Sequence, residues 1–206
     1  PDDSMMTWIN AGDRLEQGAL QAVTSIRRTF PDMAWFLGGF AQLNDEGSSI
    51  ACFTGGTVFS RKAIAAGLYE GRLLGFLQQE SSFWSLGLWR KIGGEINPAL
   101  KLAGDFDLWR QFAAYAHCAR INSITGYFRR HAGGLSADLT GYYNEVDTLI
   151  MNADGGMLRR SVLNELNAII ARHDIDGLSK AGFSGPVVTW NIDAGRWERA
   201  VEPITP

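Results

Sequence analysis

The chain has 206 residues, 46% hydrophobic and 20% charged, with a formal net charge of -3. That length holds one large domain or one domain with an appendage, and the composition is that of an ordinary globular protein. The acidic balance argues against a broad nucleic-acid surface, which needs a basic stripe; the pairs Arg27-Arg28, Arg129-Arg130 and Arg159-Arg160 are scattered.

The first residues, Pro1-Asp2-Asp3-Ser4, carry neither a basic n-region nor an apolar h-region, so no signal peptide is expected. They lead without an initiator Met into an apolar run, as in a chain that starts in mid-domain. Met5 to Ile9 reads as a buried strand closing on the turn Asn10-Ala11-Gly12-Asp13. Leu15, Ala19, Ala22, Val23, Ile26 and Phe30 recur at helical spacing, predicting a helix over residues 14 to 30. Met33 to Leu43 reads as a strand, Asn44-Asp45-Glu46-Gly47 as a turn, and Ile50 to Phe53 as a return strand.

A short helix with a loop follows over residues 61 to 74, then a helix from Trp84 to Ile92 stopped by Gly93-Gly94. The next helix starts near Asp105, with Phe106, Trp109, Phe112, Ala113 and Ala116 along one face. Ala119 to Phe128 reads as a strand, Leu139 to about His173 as helical with a break near Gly155-Gly156, and Pro186 to Ile192 as a last strand before irregular sequence. No apolar run approaches the roughly 20 residues of a membrane span. The two cysteines, Cys52 and Cys118, are too few for a disulfide framework or zinc motif and read as small buried residues.

Several polar residues stand where a ligand can be held. Asp13 follows a strand and a Gly turn, the end at which open α/β sheets place ligands. A carboxylate there suits a divalent cation, or else caps a following helix. Asp105 and Asp107 lie in the first turn of a helix, where acids are favoured by the backbone dipole. Two positions apart they point about 200° from each other, so they do not form a shared dyad. Gln79, Glu80, Ser81 and Ser82 can hydrogen-bond a polyhydroxylated ligand beside the aromatics Phe83 and Trp84; the alternative is a capped helix start with core aromatics. His131, after Arg129-Arg130, has the chemistry of a metal or phosphate ligand, whereas His117 and His173 carry no special signal.

The order of these segments resembles the family 2 glycosyltransferases with a GT-A fold. The resemblance runs through Trp8-Ile9-Asn10-Ala11-Gly12-Asp13, Gly38-Gly39, Gln79-Glu80-Ser81-Ser82-Phe83-Trp84, Gly93-Gly94, Asp105-Phe106-Asp107-Leu108-Trp109 and Phe128-Arg129-Arg130-His131. Residues 139-206, which lie outside the resemblance, read from their own pattern as a mainly helical extension with a terminal strand; over residues 1-138 the resemblance implies an α/β chain, a partial GT-A-like (Rossmann-like) mixed sheet flanked by helices. It also implies transfer of a sugar from a nucleotide-diphosphate donor to a carbohydrate or lipid-linked acceptor, by a metal-assisted inverting displacement. By the same matching, Asp105 would be the catalytic base, supported by Asp107. Asp13 and His131 would hold Mg²⁺ or Mn²⁺. Gln79, Glu80, Ser81, Ser82, Trp84, Trp109 and Arg130 would line the substrate pocket.

The sequence departs from the family in two respects. Gly12 stands where many members have a second acid, and the N-terminal nucleotide-binding half is missing. The alternative is therefore a non-catalytic carbohydrate-binding or scaffold module derived from the same fold. The expected location is the cytoplasm or the periphery of a membrane, with no nucleic-acid partner.

Overall fold

The nine residues of β3, Trp35–Leu43, are nearly all buried and form the strand from which the rest of the sheet is laid out. The computed structural model describes residues 4–53, 58–129, 138–151 and 155–205. The other strands are β1 (Met5–Met6), β2 (Arg14–Leu15), β4 (Ser49–Phe53), β5 (Ser82–Ser85), β6 (Ala119–Arg129), β7 (Ser184–Asn191) and β8 (Arg196–Pro203). They make one mixed sheet in the order β1-β5-β3-β6-β7-β8, with β4 added beside β3 and β2 beside β6. Strands β3, β6 and β7 run parallel to their neighbours in that set, whereas β5 is antiparallel to both β1 and β3. β1 therefore runs in the direction of β3.

Alternation along β3 divides two cores, because successive side chains leave a strand on opposite faces. Trp35 and Leu37 join the larger core with Trp84, Trp109 and Phe112, while Phe36 packs with Phe83, Ile121, Val188 and the helix α1, Ala19–Thr29. In α1 the buried residues are Ala19, Val23 and Ile26, one helical stripe. The larger core is covered by α2 (Arg61–Ala65), α4 (Gly104–Ala113) and the C-terminal helices α6 (Gly155–Ala171) and α7 (Ile175–Lys180), with α3 (Leu86–Lys91) at its edge, while α5 (Leu139–Met151) packs Val146 and Ile150 on Ala103 and Phe106 in a smaller cluster. Its centre is aromatic: Trp35 stacks on Trp109 at 5.5 Å, and Trp84 meets Trp109 edge-on at 5.7 Å.

The chain is thus α/β, with an open mixed sheet flanked by helices. Residues 139–206 do not stand apart, since β7 pairs with β6 and Val162, Leu166, Phe183 and Val187 share the core of Trp35 and Trp109. No helix among the described residues is long and apolar enough to cross a membrane.

Four expectations are corrected. The helix expected from Trp84 begins at Leu86: Trp84 and Ser85 belong to β5, which is buried on both faces, and Ser85 Oγ accepts from the Leu88 amide at 3.1 Å. The helix expected from residue 14 begins at Ala19, since Arg14 and Leu15 are drawn into pairing with Tyr127 and Gly126. The tail expected to be irregular forms β8, in register with β7 along its whole length. Cys118 is buried but Cys52 is exposed on the edge strand β4.

Candidate functional site

Strand direction brings the candidate residues to one edge. β1, β3 and β6 share a direction, so the turn after β1 lies at the same edge as the C-terminal ends of β3 and β6. β5 runs the other way, so the segment that enters it, the 3-10 turn Gln79–Ser81, lies there too. Ligands of open α/β sheets bind in the crevice at this edge.

Asp13 stands in the turn after β1. Its Oδ1 accepts the backbone N–H of Arg129 at 2.8 Å, and Arg129 also donates to the carbonyls of Gly12 at 3.2 Å and Asp45 at 3.0 Å. Asp13 therefore ties the β1 turn to the end of β6 and does not cap a helix. Gly12 has φ +103, a left-handed conformation that L side chains resist. A second acid at that position would strain the turn, which accounts physically for the single carboxylate.

Gln79 braces the same turn, donating to the Trp8 carbonyl at 3.1 Å and accepting from Asn10 at 3.4 Å. Thr125 Oγ1 donates to the Ser81 carbonyl at 3.3 Å. The turn crosses the sheet over Gly126, where a Cβ would lie 2.3 Å from the Glu80 carbonyl oxygen, and Gly38 leaves room for Thr125, whose Oγ1 a Cβ there would meet at 2.1 Å.

Glu80 is 2% exposed, and its Oε1 has no hydrogen-bond partner among the described residues. Burial pushes its carboxyl up to about 8, and the nearby charges of Asp13 and Asp105 add to the shift. Asp105 stands in the first turn of α4, its Oδ1 accepting from the Phe106 amide at 2.7 Å. Burial pushes this carboxyl up to about 6 against the pull of that amide. Asp13 and Asp105 thus both lie near enough to Glu80 for their charges to act on it. Asp105 therefore titrates below Glu80, the order that suits base and acid roles for two carboxyls.

The remaining candidates stand elsewhere. Asp107 accepts from Gln111 Nε2 at 2.9 Å, one helical turn on, and shares no partner with Asp105. Ser81 and Ser82 are fully buried. Trp84 and Trp109 are 2% exposed, and Trp109 donates to the Leu77 carbonyl at 3.2 Å. Phe83, at 1% exposed, and Trp84 are core, so the stacking wall expected of them is not offered to a ligand, and Trp109 is core as well. Arg130 and His131 lie outside the described residues.

Two residues escaped the sequence reading. Arg129 clamps the Asp13 turn, and its only signal was its place in a basic pair. Tyr142, on α5, is near enough to Asp105 and Glu70 for their charges to raise its phenol above the usual range, with burial the larger cause. It packs edge-on against Phe76 at 5.8 Å, and no sequence pattern marked it.

Among the described residues no group of three His, Cys, Asp or Glu side chains is placed to hold a metal ion. An all-protein cage is therefore lacking there. Mg²⁺, however, is commonly held by one or two carboxylates together with substrate phosphates and water, and Asp13 at the strand edge fits that lighter mode. No protein-family model matches the chain, and no curated protein matches it.

Proposed function

We propose that the chain carries the catalytic and acceptor side of a GT-A-type glycosyltransferase site, taking a sugar from a nucleotide-diphosphate donor with inversion. The observation that carries this reading is the place of Asp105, half-buried in the first turn of α4 and near the buried Glu80, whose carboxyl titrates above it. Asp105, ionised at neutral pH, takes the proton of an acceptor hydroxyl as that oxygen attacks the anomeric carbon. The bond from that carbon to the diphosphate oxygen breaks as the new one forms. Glu80, buried beside Asp13 and Asp105, keeps its proton and so adds no further negative charge to the site. Gln79 and Arg129 hold the Asp13 turn in place. Bound with the donor, Mg²⁺ or Mn²⁺ would neutralise charge on the departing diphosphate. Asp13 would hold the ion; His131, outside the described residues, is its proposed companion.

A second reading, a carbohydrate-binding module without turnover, is favoured by the hydrogen bond that Arg129 already makes to Asp13. A thermal-shift titration with UDP- and GDP-sugars, with and without Mn²⁺, tests the donor site on this chain and on Asp13→Asn. A metal-dependent rise that the variant loses supports the transferase reading, since a ligand of the folded state raises the melting temperature by mass action. No shift with any donor, together with binding of free oligosaccharide, supports the second.

A further inference from the structure

We propose that β8 is the interface of a symmetric dimer, in which a second copy of this chain continues the sheet edge to edge. Among the described residues β8 ends the strand order, leaving its outer side without a neighbour. The direction of its free amides follows from two observations. Ile204 N–H donates to the Phe183 carbonyl, on the β7 side, and Pro186, which has no N–H, lies opposite Val201. Backbone groups alternate sides along an antiparallel strand. Even-numbered residues of β8 therefore bond to β7, and Trp197, Arg199 and Val201 present N–H and C=O outward. Pro203 falls in the outward set, where a missing N–H costs no bond to β7.

Side chains then select the register. A two-fold axis perpendicular to the sheet keeps like faces together, so it must pass through a residue and pair residues of equal parity. With the axis at Arg199, Trp197 meets the partner's Val201, and Arg196 meets the partner's Glu202, each pair twice. The outward amides of 197, 199 and 201 then face one another as hydrogen-bonded pairs. The Arg196 to Glu202 pairs fall at the closer, non-hydrogen-bonded positions, where cross-strand charge acts most strongly. Moving the axis to Ala200 sets Glu198 against the partner's Glu202. Moving it to Glu198 carries Glu202 past the end of the facing strand.

The exposures fit the same register: Val201 is 69% exposed, and the side chains of Arg196 (71%) and Glu202 (49%) stay largely open although Arg196 meets Glu198 at 3.2 Å and Glu202 lies 3.8 Å from Arg120 within the subunit. Arg199, on the axis, is turned back into its own subunit by Asp32 at 2.6 Å and lies over the Phe30 ring. The two copies of this arginine are thus each neutralised before they meet.

Sedimentation velocity over a concentration series of the full chain tests the dimer. The expected result is a concentration-dependent dimer whose dissociation constant rises by about tenfold in Arg196→Glu and in Glu202→Arg, and returns in the double charge swap. Val201→Pro removes an outward N–H that β7 does not use. It should abolish the dimer while the far-UV spectrum stays unchanged, which covers the case of a charge variant that misfolds. A wild-type monomer at every concentration, or a dimer that neither the swap nor the proline moves, overturns the proposal.

Discussion

The backbone carbonyl of Glu80 passes over Gly126 so closely that a Cβ there would lie 2.3 Å from its oxygen. The atom in the way is backbone, and Thr125 holds the same turn through the Ser81 carbonyl, so it cannot swing aside as a flexible side chain would. Gly126→Ala should therefore destabilise the chain by about 1–3 kcal/mol, as overpacking does. The midpoint of urea unfolding checks this. An unchanged midpoint would mean that the 79–81 turn has room to move.

The same turn carries a pH dependence of stability. Glu80 has an ordinary value of 4.5 and a folded value of about 8. Between those values the folded state holds a proton that the unfolded state has released, so stability falls as pH rises through the window. Below 4.5 both states are protonated and the penalty is absent; above about 8 it is complete. Asp105 acts in the same sense between 3.8 and about 6. The combined loss is on the order of a few kcal/mol. Glu80→Gln, which cannot ionise, should lose less stability than the wild type on going from about pH 5 to about pH 9. Parallel urea midpoints for the two proteins would contradict the buried, protonated Glu80.

For the proposed transferase, the two carboxyls predict a bell-shaped rate profile. Activity should rise as Asp105 ionises near about 6 and fall as Glu80 loses its proton near about 8. Asp105→Asn should lower kcat by about 10²–10⁴ while leaving the donor-induced rise in melting temperature intact. Glu80→Gln should keep turnover and lose the alkaline limb. A rate that keeps climbing beyond pH 8 in the wild type would remove Glu80 from the chemistry.

Much of this arrangement can be read along the sequence, and some cannot. The turn Asn10-Ala11-Gly12-Asp13 and the acids at the mouth of α4 are local signals, with a helical stripe behind Asp105, whereas the buried strand expected over Met5 to Ile9 is only the half-buried pair Met5–Met6. The segment Ser82-Phe83-Trp84-Ser85 is too short for periodicity to separate strand from helix, and its pairing with β1 and β3 decides it. β8 reads as irregular because an edge strand with exposed Arg196, Arg199 and Glu202 needs no apolar alternation. Gln79-Glu80-Ser81 reads as a ligand-binding cluster or a capped helix start; its burial depends on Gly126, distant in the chain. Trp84 and Trp109 look like a ligand wall for a similar reason, since nothing local reveals that Trp35 and Phe112 cover them.

A second buried acid separates the effect of burial from that of ion-pair number. Glu70 is fully enclosed and accepts from Arg72 Nε at 2.7 Å and Arg159 Nη2 at 2.9 Å. Arg159 also donates to the Gly67 carbonyl, and Arg72 reaches Asp147 on α5. Glu70 thus fastens α5 and α6 to the loop after α2. Glu70→Gln keeps the volume but leaves two guanidinium groups without their shared anion, one of them only 16% exposed. The loss should be about 3 kcal/mol or more, the usual cost of removing one partner from a buried pair. Asp147 makes an ion pair of equal formal charge, yet its side chain is 54% exposed and Arg72 is 39% exposed. Water screens that pair, so Asp147→Asn should cost under about 1 kcal/mol. Urea unfolding of the two variants side by side checks the ranking. Equal losses would mean that the Glu70 carboxylate is reached by water and that the C-terminal helices are held by their apolar contacts alone.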